Sequence, residues 1–222
     1  MNGPLIGGTE ECRRIIQAES VLLDSAVTKE HYQISSRIHT DRVYLLHPVL
    51  QWGSHRELLA HKLIEDLLIG GIDLQRDVDV LVATGIAAMQ ICCTLQHFIG
   101  LQEKRLIFIE RERNGISVGH GFSFRQDERI LLVHFAAVRF NTIRETIKAI
   151  HRYADETGFQ PCVIGFAVIF DRSPENSQWE KGLGTFRKVC MFREPLNVYP
   201  ADKRRCPLCK MGIPLVDLRG AT

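Results

Sequence analysis

At 222 residues, with 45% apolar and 24% charged side chains, the chain is long enough for one sizeable core and too apolar for a disordered segment. Its 28 basic against 26 acidic residues leave a net charge of +2, which supports no extended nucleic-acid footprint. No apolar run reaches the ~20 residues that cross a bilayer, and seven cysteines without small-scaffold spacing point to reduced thiols in a cytoplasmic protein.

The opening Met-Asn-Gly-Pro-Leu-Ile-Gly-Gly reads as a lead-in and lacks the basic and apolar regions of a secretory signal. From Thr9, the spacing of Ile15, Ile16, Leu22 and Leu23 predicts an amphipathic helix, followed by an extended piece over Tyr32 to Ser35. Ser54-His55-Arg56-Glu57 has the form of a capping box, and Leu59, Leu63 and Leu67 continue the helix until Gly70-Gly71 stops it. Val78 to Ala83 is an apolar run broken only by Asp79, after which Ile91, Leu95 and Phe98 recur at helical spacing. Leu106 to Ile109 and Ile130 to Phe135 are further short apolar runs. Ile143, Ile147, Ile150 and Ala154 mark a helix, and Cys162 to Phe170 closes the series. Buried strands alternating with helices predict an α/β fold with a mostly parallel central sheet flanked by helices. Ligands then bind outside the carboxyl ends of the strands, which directs attention to the turns after Ala83, Ile109 and Phe135.

Several segments carry a resemblance. Ser35-Ser36-Arg37-Ile38-His39-Thr40-Asp41, Phe108-Ile109-Glu110-Arg111-Glu112, Val168-Ile169-Phe170-Asp171-Arg172-Ser173 and the tail from Cys206 to Val216 resemble, in order and spacing, the orotate phosphoribosyltransferases. The resemblance runs from about Ile16 to Gly220 and implies the type I phosphoribosyltransferase fold with an N-terminal hood over the base. It implies one domain over 1–222: a helix and hood region (9–70), an α/β core (71–175) and a C-terminal segment with the CxxC (176–222). It also implies a homodimer in which 111–121 of one chain covers the site of the other, and Mg²⁺ only where phosphoribosyl pyrophosphate is bound.

The site predicted by that resemblance departs from the family pattern. Family members end a strand in two acidic residues that bind the ribose hydroxyls, followed by a Thr/Gly-rich turn whose N–H groups cradle the 5′-phosphate at a helix start. Here the strand end is His134-Phe135, and the turn is Val138-Arg139-Phe140-Asn141-Thr142, with Thr142 to Glu145 reading as a capping box. Loss of two carboxylates weakens donor binding by about 3–6 kcal/mol, roughly a hundred- to ten-thousand-fold. The pyrophosphate-facing turn is Thr84-Gly85-Ile86-Ala87-Ala88. The loop from Arg111 to Phe122 has no lysine: Ile116 stands at the lysine position, and Gly119 and His120 stand where an arginine pair is expected.

Candidate ligand-binding residues are therefore Ser35, Ser36, Arg37, His39 and Asp41 in the hood, Thr84 and Gly85, Arg111 and His120, and His134, Arg139, Asn141 and Thr142. No catalytic residue is assigned. His134 reads either as a general base or as a satisfied rim histidine, and Arg139 either as an anion ligand or as a solvated side chain. Cys206 and Cys209 form half of a zinc site that Cys190 and a histidine could complete; because the same tail occurs in the resembled family without demanding a metal, none is assigned.

The functional expectation is a phosphoribosyltransferase-like protein without standard donor-dependent transfer. It would bind a nucleotide or phosphoribosyl-type molecule as a regulatory or effector module beside a protein partner. The alternatives are an active glycosyltransferase or N-glycosidase of altered specificity, with His134, His120 or Glu110 as acid or base, or an orotate phosphoribosyltransferase making orotidine 5′-phosphate.

Overall fold

A computed structural model describes residues 8–19, 21–112, 115–119, 121–160, 162–174 and 186–218. In chain order the elements are α1 (Gly8–Glu19), β1 (Val21–Asp24), α2 (Ser25–Thr28), β2 (His31–Ser35), β3 (Ile38–Thr40), β4 (Arg42–Leu45), a 3₁₀ turn (His47–Gln51), α3 (Gly53–Ile69) and α4 (Leu74–Asp77). They continue with β5 (Val80–Thr84), α5 (Ile86–Leu95), β6 (Arg105–Glu112), β7 (Gly115–Val118), β8 (Arg129–Ala137), α6 (Asn141–Thr157) and β9 (Cys162–Asp171). The last are β10 (Arg187–Arg193), β11 (Val198–Pro200), α7 (Pro207–Lys210) and β12 (Leu215–Asp217).

The central sheet has the order β10-β9-β8-β5-β6-β7, and every pairing is parallel except the β6–β7 hairpin at one edge. Its strands are apolar on both faces, as helix cover on both sides demands. Leu81, Ala83, Leu131 and Val133 face a core shared with α1, α3 and α5. Val80, Val82, Ile130 and Leu132 face Ile143, Ile147 and Ile150 of α6. Leu59, Leu63 and Leu67 of α3 are almost wholly buried, each burial contributing about 1.5–3 kcal/mol. Asp79, the one charge in its apolar run, accepts two hydrogen bonds of 2.9 Å from the Arg129 guanidinium and one from its backbone N–H. The pair fastens the starts of β5 and β8 to each other, and Arg129 holds the Asp79 carboxyl down to about 2.

A smaller sheet, β11-β3-β2-β12, forms the hood, and β1 pairs with β4 beside it. All seven cysteines are free thiols. No helix among the described residues is long and apolar enough to cross a membrane.

Three sequence expectations are corrected. Leu22 and Leu23 belong to β1, because α1 stops at Glu19 and the chain turns back to pair with β4. Neither proposed capping box forms. Helix α3 begins at Gly53 with Trp52 at its N-cap and no side-chain cap, since the 3₁₀ turn delivers the chain into the helix two residues early. Helix α6 begins at Asn141, and its N-cap is Phe140 in the left-handed region at φ 53°.

Candidate functional site

The carboxyl ends of β5, β6 and β8 open onto a cleft of about 850 Å³, within the range of small-molecule sites, with the hood on its other side. Helices α5 and α6 both begin at its wall. At the first, Gly85 caps α5 at φ 105°, ψ 162°, a backbone conformation open to glycine and strained for any residue with a Cβ. At the second, β8 runs through Ala137 and the chain turns on Phe140. Its ring is 2% exposed and lies edge-on to Phe166, with Lys188 Nζ 4.8 Å from its centroid. Arg144 closes the turn from inside, donating to the Arg139 carbonyl (2.9 Å) and to Asn141 Oδ1 (3.2 Å).

Of the residues predicted to bind ligand, Ser35, Ser36, Arg37, Thr84, Gly85, His134, Arg139, Asn141 and Thr142 all line this one cleft. His39 and Asp41 do not. His39 is buried against His31 on the hood sheet, and Asp41 accepts a 2.9 Å hydrogen bond from Asn197, tying the bend after β3 to the segment before β11. The Arg111 side chain and His120 lie outside the described residues. Ile116, at the expected lysine position, is 4% exposed and packs in the α6-side core. Arg152 of α6 donates to its carbonyl at 2.9 Å, which holds β7 against α6 at the border of the cleft.

His134 sits opposite Thr84 in the β5–β8 register. Thr84 Oγ1 is 3.1 Å from the Val133 carbonyl, which can only accept, and 2.5 Å from His134 Nδ1. The hydroxyl proton goes to the carbonyl, so the Nδ1–H donates to Thr84 and fixes the ring. Phe135, the second residue of the pair, is buried against Phe170 and offers the cleft no polar atom.

Cationic groups dominate the lining: Arg37 from the hood, Arg139 from the turn and Arg172 after β9. Burial, and secondly Arg37, lowers the Arg139 pKa. Arg172 is brought down to about 10 by burial, against the opposing pull of Glu194 and Tyr44, and donates to the Tyr44 carbonyl at 2.8 Å. Glu145 is the one carboxylate among the described lining residues. Each helix N-terminus adds about half a positive charge. Among the charged lining residues, three arginines face one carboxylate. Arg172 and His47 were missed from sequence; Arg172 follows the end of a parallel strand, where the strand-end rule would have found it.

No family model matches the chain. An orotate phosphoribosyltransferase from Caldanaerobacter subterraneus is 26% identical over 190 residues, covering 86% of this chain and 88% of that protein. The crystal structure of an orotate phosphoribosyltransferase from Aeropyrum pernix superposes with a TM-score of 0.58 at 16% identity, over 82% of this chain and 93% of that one. An adenine phosphoribosyltransferase from Thermoanaerobacter pseudethanolicus superposes at 0.57 with 11% identity, over 82% and 99%. The fold is that of the type I phosphoribosyltransferases, and over most of its length the chain is similar to orotate phosphoribosyltransferases.

Proposed function

We propose that the cleft binds a phosphorylated, nucleotide-type anion, and that the chain acts as a phosphoribosyltransferase-like regulatory or effector module without donor-dependent transfer. The observation that carries this reading is the strand end. Where two carboxylates would take the ribose hydroxyls, the cleft has one imidazole held by Thr84 and one buried phenyl ring. The charges favour an anion, while the strand end offers a ribose diol one imidazole in place of a carboxylate pair. A divalent cation is poorly served by this set, since Glu145 alone among the described lining residues offers it a carboxylate.

The test is calorimetric titration with phosphoribosyl pyrophosphate and Mg²⁺, with and without orotate, beside a panel of nucleoside monophosphates. The expected result is micromolar binding of a nucleotide and no heat with the donor. Arg139→Ala should weaken nucleotide binding about 10- to 100-fold, the loss of one charge-assisted hydrogen bond. Heat with the donor, together with formation of orotidine 5′-phosphate, would sink the reading.

A second reading has one observation behind it. The similarity to proteins named orotate phosphoribosyltransferase extends over 86% of the chain and favours orotate transfer, which the same titration separates. A homodimer is part of the proposal, expected in light scattering at micromolar concentration; a monomer there would contradict it.

A further inference from the structure

Away from the cleft, the hood gathers four metal-binding side chains that the functional reading does not use. His39 pairs with Gln33 across the β2–β3 hairpin, which makes His31 its diagonal neighbour on the same face. The two imidazoles lie with centroids 5.1 Å apart and are 3% and 0% exposed. The CxxC comes to them from far along the chain. Pro207 starts the short helix α7, which curls Cys206 and Cys209 toward one point, and the Cys206 carbonyl accepts from the Lys210 N–H at 3.1 Å. Parallel pairing of β12 with β2, and the His31 N–H donated to the Pro214 carbonyl at 2.8 Å, hold the two parts together.

We propose that His31, His39, Cys206 and Cys209 bind one zinc ion, which clamps the hood hairpin to the CxxC segment. One ligand atom from each of the four lies within 4.8 Å of all the others. Cys209 Sγ is 3.3 Å from His31 Nε2 and 3.5 Å from His39 Nδ1. A tetrahedron with the usual zinc–sulfur and zinc–nitrogen distances has sulfur–nitrogen edges of about 3.6 Å, so little movement is needed. Two sulfurs and two nitrogens with no carboxylate suit zinc and not magnesium or calcium. Thiol–imidazole hydrogen bonding alone is a weak account of the cluster. A thiol is a poor donor, and among the described residues His31 Nδ1 is buried with no hydrogen-bond partner while Nε2 faces the Cys209 sulfur. The sequence expectation of Cys190 as a further ligand is corrected: it lies on β10, its thiol 3.2 Å from the Phe192 carbonyl.

Full-length protein purified without chelator should carry one zinc per chain by mass spectrometry, and stripping the metal should lower its melting temperature reversibly. Metal-free protein titrated with Co²⁺ should develop the intense visible bands and sulfur-to-cobalt charge transfer of a tetrahedral thiolate site, abolished by zinc. Cys209→Ser should lose that spectrum and Cys190→Ser should keep it. Should Cys209→Ser fail to fold, the wild-type cobalt spectrum and its displacement by zinc decide the matter. A pale octahedral spectrum, or folded protein whose melting is unmoved by zinc, would overturn the proposal. None of these readouts depends on what the cleft binds.

Discussion

Asp171→Ala is expected to lower stability by about 1–3 kcal/mol, because it removes a buried carboxylate and strands the Ser173 donors, while Lys188 and Arg193 keep access to water. Asp171 ends β9 with no exposed surface. Its Oδ1 accepts from the Ser173 N–H (2.9 Å) and hydroxyl (2.6 Å), and its Oδ2 from Lys188 Nζ (2.8 Å), with Arg193 3.5 Å away. Burial pushes its pKa up, but Lys188 and the Ser173 donors outweigh that and hold it below the ordinary carboxylate value. A depressed folded pKa gives stability that is fully present above the unfolded value of about 3.9 and is lost as pH falls through the folded one. Urea unfolding at neutral pH should therefore separate wild type from variant widely, and the gap should narrow in acid. An equal gap at both pH values would show that the loss is packing and not charge.

The second large effect concerns the turn. Phe140→Gly should cost about 1–4 kcal/mol in urea. Emptying a buried phenylalanine site costs about 3–5 kcal/mol, and relief of the left-handed conformation at φ 53° returns about 1–2. The variant puts a glycine into the turn, yet it should still give no heat with phosphoribosyl pyrophosphate, because His134 and Phe135 remain. Micromolar donor binding by this variant would identify the ring as the sole obstacle.

The core was legible because its periodicities are strong. Four of the five parallel strands, β5, β6, β8 and β9, and the α6 stripe of Ile143, Ile147 and Ile150 follow from apolar runs alone, whereas β10, whose run is broken by charges, was not foreseen. The caps were not legible: Ser54 and Thr142 have the right residues in the right order, but the preceding chain enters each helix at a different point. Most of the cleft was readable through strand ends and the resemblance. His39 was misplaced because a strand residue's face depends on register, and the bulge between Gln33 and Ser35 cannot be counted from sequence. The His31–Cys209 meeting was hidden by their separation of 178 residues.

That separation has a consequence for biogenesis. Synthesis proceeds from the N-terminus, so the ribosome releases β2 and β3 long before β12 and α7 exist, and the hood's outer edges stay open while the whole parallel sheet is being made. Until residue 217 has emerged, this hairpin offers unpaired backbone and two bare imidazoles to whatever else is nearby. The nascent chain is thus most vulnerable to stray pairing at the element that finally covers the cleft, and its maturation ends there.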